Sequence, residues 1–449
     1  MPTTRVLVAL LGLSLLLAAS GARAQAQPPW IGGSALRSRI AVDAAGETWV
    51  GVWVDAPDVA VVPQVRTPMA VSLVVDVSGS MAGEKIANAQ MAASSVIESL
   101  ADGDIVSIYG FSNVVTEVSP PTVVSALSRA GLMQRVSLLV AGGGTNMYDG
   151  MQVGVSRIAQ APATHTNRRI FLISDGHANV GPSDPGSLGD LAARATEWGT
   201  QVTAIGVGYD YDPVALSSMV VRSAGRLHHL GNPGQMAAIL EQEMGFMARS
   251  VALNARIEIQ PAPGVTILEG ATTGARVDGG LLRFPVGALI AGQRREVLFR
   301  VRIPGARLGT QPLGTARLVF QAPGAPAEQV QTAALGYQVV RARTDEAEVP
   351  RVAAMVAQHQ ASVAERQAAQ LLEQGQRDQA VAALEAARAQ LSQASTTYQF
   401  ADAEIAGQLA RRAEAMRTEA AGASQATSAP AARARSLELQ AAPMAAEGY

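Results

Sequence analysis

Apolar positions across residues 69–250 follow two alternating rhythms. Short β-branched runs, such as Val71, Leu73, Val74 and Val75, predict strands covered on both faces. Further strands are expected at 105–109, 113–118, 169–173, 202–207 and 227–230. Between them the spacing turns helical. Over 83–100, Ile86, Ala89, Ala93, Val96, Ile97 and Leu100 share one side. Helices are also expected over 122–130, 147–158, 188–198, 213–221 and 235–247. Alternation of this kind predicts an α/β fold: a doubly wound, mostly parallel sheet with helices on both faces.

The flanks have other rhythms. Residues 37–42 and 48–54 alternate as strands do, with Trp49 and Trp53 as packing residues. The segment 25–68 is too short to bury a core alone. From 251 the helical period disappears, and strands are expected at 255–259, 265–268, 281–284, 296–303, 316–320 and 335–340. That is the pattern of an all-β sandwich. Since 37–54 is also β, it is expected to join this sheet, leaving 69–250 as an insertion. Residues 344–420 turn to Ala, Glu, Gln, Arg and Leu. One helix should end before Gly375, one begin after Asp378 and a third cover 401–418. A single hairpin there is weakly similar to a tetratricopeptide-type repeat, without a run of repeats. The tail 421–449 has few large apolar residues and is expected to be disordered. Residues 1–24 combine Arg5, an apolar run over 6–19 and Ala22-Arg23-Ala24, the layout of a cleaved export signal. The run is shorter than the ~20 residues a membrane-spanning helix needs.

Composition changes the picture in three places. A net charge of −2 over 449 residues provides no field for nucleic acid or an acidic membrane. The absence of cysteine excludes disulfides, thiolate metal sites and thiol nucleophiles. Lys85 is the only lysine among 35 Lys and Arg residues, which reads as codon bias alongside abundant Ala and Gly. The expectation is an exported chain, periplasmic or extracellular, with no membrane span after the signal.

The candidate chemistry follows three of the predicted strands. Asp76, Ser78 and Ser80 come after the first, with Gly79 among them. Thr145 follows Gly142, Gly143 and Gly144, and Asp175 precedes Gly176. Ligands of parallel sheets gather outside the carboxyl ends of the strands, and glycines let the backbone approach closely. Two carboxylates and three hydroxyls suit one Mg²⁺, or Mn²⁺ or Ca²⁺, with a coordination position left open. Singly, each residue has an ordinary use: Asp and Ser in turns, Thr145 as the cap of helix 147–158, Asp175-Gly176 as a plain turn. Together, in order, they argue for a metal site. His177, two residues past Asp175, could border it but reads first as a solvated loop histidine. His228 and His229 lack companions for a metal site, and Asp184 and Asp212 read as structural: a helix cap and a turn before a helix.

These stretches resemble the von Willebrand factor type A domain. The resemblance rests on 75–81 with Gly83 and Lys85, on 142–146 and on 173–176, and covers about 69–250. The family's metal-ion-dependent adhesion site reads D-x-S-x-S, then T, then D, which matches Asp76, Ser78, Ser80, Thr145 and Asp175. It implies capture of an Asp or Glu from a partner protein at the open metal position. It also implies that the last helix, here 235–247, can move on capture. Catalysis is not expected. No Lys-Ser or Lys-Thr follows the glycines, as a phosphate loop requires, and no G-x-S-x-G elbow is present. A metal-dependent hydrolase, the best enzymatic alternative, would want a second acid where Ser78 stands. The sequence therefore reads as an exported, non-enzymatic, metal-dependent protein-binding module. The alternative is an envelope scaffold or assembly factor acting through its helical C-terminus.

Overall fold

The computed structural model describes residues 30–42, 46–58, 67–208, 211–232, 235–272, 274–304, 307–325, 327–341, 348–429, 431–432, 435–436 and 438–440. The signal expected over 1–24 lies outside them.

The chain begins with β1 (Ile31–Ala35), β2 (Arg39–Ala41) and β3 (Gly46–Asp55). There follow β4 (Met69–Asp76), α1 (Glu84–Ser99), β5 (Ile105–Phe111), β6 (Val115–Val123), α2 (Ala126–Ser137), α3 (Met147–Ala159) and β7 (Asn167–Ser174). The same pattern continues through α4 (Pro185–Ala195), β8 (Thr200–Val207), α5 (Pro213–Arg222), β9 (Arg226–Leu230) and α6 (Gln235–Ala248). These strands form one sheet in the order β6-β5-β4-β7-β8-β9. It is parallel except where β6 joins β5. Every residue of β4 is buried, because helices cover both faces of the sheet. Ala89, Ala93, Val96 and Ile97 of α1 pack on one face, with Leu132 and Val136 of α2 and Met236 of α6. Met147, Met151 and Val155 of α3, Leu188 and Leu191 of α4 and Leu216 and Val220 of α5 pack on the other. The doubly wound α/β architecture is the one the hydrophobic pattern predicts.

One helix is displaced from its expected place. Residues 122–123 belong to β6, and α2 begins at Ala126, where Ser125 and Ser128 form a reciprocal cap. Pro120 and Pro121 lie inside β6. A proline is tolerated there because β6 is an edge strand, with one side free of ladder bonds.

The second domain comprises β10 (Ser250–Pro261), β11 (Thr266–Gly270), β12 (Arg276–Asp278), β13 (Leu281–Ile290), β14 (Arg294–Ile303), β15 (Gly309–Gln321) and β16 (Glu328–Val340). Two sheets, β1-β3-β14-β11 and β12-β13-β10-β15-β16-β2, face each other. Val50, Val52 and Val54 meet Ile257, Phe299, Leu318 and Phe320 between them. β3 pairs antiparallel with β14 from Gly46 opposite Ile303 to Asp55 opposite Arg294. The α/β domain is thus inserted between β3 and β10 of the sandwich. Its amino edge rests on the sandwich: a Cβ on Gly199 would fall 2.3 Å from Asn254, and one on Gly287 would fall 1.9 Å from the Gln201 amide.

Three long helices follow, α7 (Pro350–Glu373), α8 (Arg377–Tyr398) and α9 (Ala403–Gln425). Trp49 and Trp53 point away from the sandwich core and pack with Val352 and Met355 of α7. Arg351 fixes that contact, with bonds of 2.7 and 2.8 Å to Asp55 and 2.8 Å to Glu296. The disorder expected from residue 421 is corrected for the part described. Helix α9 runs on to Gln425 because Met416, Ala420 and Ala423 continue its buried strip. Beyond it, Leu439 is buried, and the Ser436 hydroxyl donates to Glu373 at 2.7 Å.

Candidate metal centre

The loop after β4 turns back on its own strand end. The Ser78 N–H donates to Asp76 Oδ1 at 2.8 Å, and the Ser78 and Ser80 hydroxyls lie 3.1 Å apart. Asp76 and Ser78 are fully buried, whereas Ser80 is exposed. Two backbone bonds tie this loop to the glycine loop before α3: Gly79 N–H to Gly143 O at 2.9 Å and Gly142 N–H to Val77 O at 2.8 Å. A Cβ on Gly79 would sit 3.2 Å from that Gly143 oxygen, tighter than an ordinary contact, which accounts for a glycine there.

Thr145 is buried in the glycine loop. The cap of α3 is its neighbour Asn146, whose side chain accepts the Asp149 N–H at 3.2 Å. Thr145 is therefore released from the capping role considered above. Its N–H donates to Asn179 Oδ1 at 2.8 Å, and its carbonyl accepts from Asn179 and Val180. Those residues belong to the loop after β7, so the second and third loops are joined as well.

Asp175 immediately follows β7 and is fully buried. Its Oδ2 accepts from Lys85 Nζ at 3.1 Å, and its Oδ1 from the His177 N–H at 3.4 Å. Gly176 takes φ of 78°, and a Cβ there would strike the Asp212 carbonyl at 2.8 Å. The turn is thus needed as well as the carboxylate. The His177 side chain is exposed. His228 binds Glu243 at 2.9 Å and His229 binds the Gly208 carbonyl at 2.8 Å, so both are engaged away from the three loops. Asp184 and Asp212 cap α4 and α5.

Ser174 is a participant that motif reading passes over. Its hydroxyl donates to Asp76 Oδ2 at 2.6 Å and accepts from the Gly176 N–H at 2.9 Å, linking the first and third loops. Asn113 and Asn179 are two more, since each carboxamide oxygen accepts an N–H of the glycine loop at 2.8 Å. All three lie at or just past the carboxyl ends of strands, the signal by which they could have been found.

Burial pushes the Asp76 carboxyl above the usual carboxylate range; hydrogen bonds from Ser174 and Ser78 oppose this, and the charge of Asp175 adds to it. Two buried carboxylates thus stand at the carboxyl edge of the sheet, in loops that also carry the Ser78, Ser80 and Thr145 hydroxyls. That donor set fits a hard divalent cation with oxygen ligands. Among the described residues no group of three or more His, Cys, Asp or Glu side chains could hold a metal ion, so the fit depends on hydroxyls completing the two carboxylates.

A family model for the von Willebrand factor type A domain matches residues 71–177. Residues 71–177 belong to that family. The von Willebrand factor type A domain generally mediates protein–protein interaction. An uncharacterised protein of Synechocystis sp. is 23% identical over 268 residues, 58% of this chain and 63% of that protein. The inter-alpha-trypsin inhibitor heavy chain H3 of Mesocricetus auratus is 26% identical over 164 residues, 35% of this chain and 18% of that protein. The chain thus spans less than two thirds of these relatives' own length. A von Willebrand factor type A structure from Catenulispora acidiphila superposes with a TM-score of 0.64 at 18% identity, covering 86% of this chain and 90% of that one. The ArnB paralog VWA2 of Sulfolobus acidocaldarius gives 0.57 at 14% identity, covering 92% and 97%. The likeness of fold therefore extends beyond the von Willebrand factor type A domain itself. Among the described residues no helix is long and apolar enough to cross a membrane.

Proposed function

We propose that this chain is an exported binding protein whose α/β domain captures a protein partner through a divalent cation. Asp76, Ser78, Ser80, Thr145 and Asp175 would hold Mg²⁺, or Mn²⁺ or Ca²⁺ in its place. The observation that carries this reading is the pair of fully buried carboxylates, Asp76 and Asp175, adjoining hydroxyl-bearing loops. An ion held there would supply an electrophilic open position for an Asp or Glu of the partner. The chain's own residues do the rest. Ser174 and the Ser78 N–H orient Asp76, and Asn113 and Asn179 hold the glycine loop in place. The parallel topology puts these loops at the carboxyl edge, opposite the edge that rests on the sandwich, so a partner can approach unobstructed by that domain.

The test uses the mature chain recovered from the exporting cell's envelope, expected to begin at Gln25. Calorimetry should find one site for Mg²⁺ or Mn²⁺, and Asp76→Ala should abolish it. Affinity capture from the envelope should fail with EDTA and with Asp76→Ala. A folded chain that ignores magnesium, manganese and calcium would sink the proposal. Capture that survives Asp76→Ala but disappears when 345–449 is deleted would favour the scaffold reading instead.

A further inference from the structure

The single lysine of this chain is in an improbable place. The other cationic side chains among its 35 Lys and Arg residues are arginines, yet the residue whose ammonium lies 3.1 Å from fully buried Asp175 is Lys85. It sits in the first turn of α1, where the helix dipole disfavours a cation. The helix cap does not explain it either, since Gly83 occupies the cap position without a side-chain bond. The Lys85 side chain is 20% exposed, so its charge is partly withdrawn from water. The Asp175 carboxylate offsets these costs. An arginine there would present a planar fork suited to gripping a carboxylate by both oxygens; an ammonium is a compact point charge on a flexible stem and can give way.

We propose that Lys85 is a tethered counter-cation that stabilises the metal-free site and competes with the divalent ion for Asp175. The inference rests on the metal-binding reading above. Without metal, Asp76 and Asp175 adjoin with Lys85 as the ammonium at Asp175. With a divalent ion present, Lys85 becomes a like charge a few ångströms away and opposes its binding. The loaded site then carries one surplus positive charge, which an incoming carboxylate neutralises. Lys85 thus lowers affinity for the ion alone while leaving the loaded site attractive to an acid.

Lys85→Met and Lys85→Arg test this in the full chain, with Mg²⁺ and Mn²⁺ titrated by calorimetry and melting followed in EDTA and in saturating Mg²⁺. Lys85→Met should bind either ion more tightly, on the order of tenfold. It should melt below wild type in EDTA but close to wild type in Mg²⁺, because a ligand that binds only the folded state recovers what the lost ammonium gave. Lys85→Arg keeps the charge and grips the carboxylate more firmly, and should bind the ion no more tightly than wild type. Equal or weaker metal binding by Lys85→Met overturns the inference while leaving the metal site standing, as does an equal loss of melting temperature with and without metal. If neither wild type nor Lys85→Met takes up either ion, the metal-site reading falls and this inference with it.

Discussion

Gly225 occupies a position where a single added carbon collides with backbone. Its ideal Cβ would lie 1.7 Å from the Val202 carbonyl oxygen, so neither a side chain nor a loop can yield. The residue before it, Ala224, already takes φ of 53° to bring the chain out of α5 and into β9. Gly225→Ala is expected to cost at least the roughly 1–3 kcal/mol typical of overpacking, read as a lowered midpoint in chemical denaturation. The sequence could not have shown this, because the contact brings the turn before β9 against Val202 of β8. The candidate site divides the same way. Asp76, Ser78, Ser80, Thr145 and Asp175 stand out by spacing along the chain. Ser174 does not, since its hydroxyl at the end of a buried apolar run acquires meaning only when β7 lies beside β4.

At the scale of elements, the helical region holds a pair of acids that pH should control. Glu365 of α7 is fully buried beside Arg412 and Glu419 of α9. Burial pushes its carboxyl up to about 8, Arg412 opposes this and Glu419 reinforces it. A carboxyl whose folded value exceeds its unfolded value of 4.5 contributes stability that is complete below that value. The contribution is lost as pH rises through about 8. The melting temperature should therefore fall between pH 5 and pH 9 by the equivalent of a few kcal/mol, and Glu365→Gln should flatten that slope. The three helices were legible because their Ala, Glu and Gln content changes abruptly from the β domain before them. The boundary at residue 421 was misplaced, since small alanines such as Ala420 and Ala423 can pack closely without the large apolar residues that usually announce a buried strip. Residues 122–123, expected to be helical, belong to β6, whose Pro120 and Pro121 are tolerated because the strand lies at an edge.

At the scale of the whole molecule, Arg351 couples the helical region to the sandwich. Its guanidinium binds both oxygens of Asp55, reaches Glu296 and lies 4.7 Å from the Trp53 ring. Arg351→Ala is expected to cost about 2 kcal/mol and to increase the radius of gyration in solution scattering. Metal titration should be unchanged, because none of the Arg351 bonds involves the three loops. That insertion also dictates an order of events during synthesis. Strand β3 leaves the ribosome roughly 240 residues before the β14 residues it must pair with, which at ordinary translation rates is a wait of tens of seconds. The α/β domain, whose strands all lie within that interval, can fold while the apolar face of Val50, Val52 and Val54 still lacks its partner strand. A nascent chain arrested before Arg294 would therefore display a finished α/β domain on an open, aggregation-prone half-sheet, a natural client for chaperones.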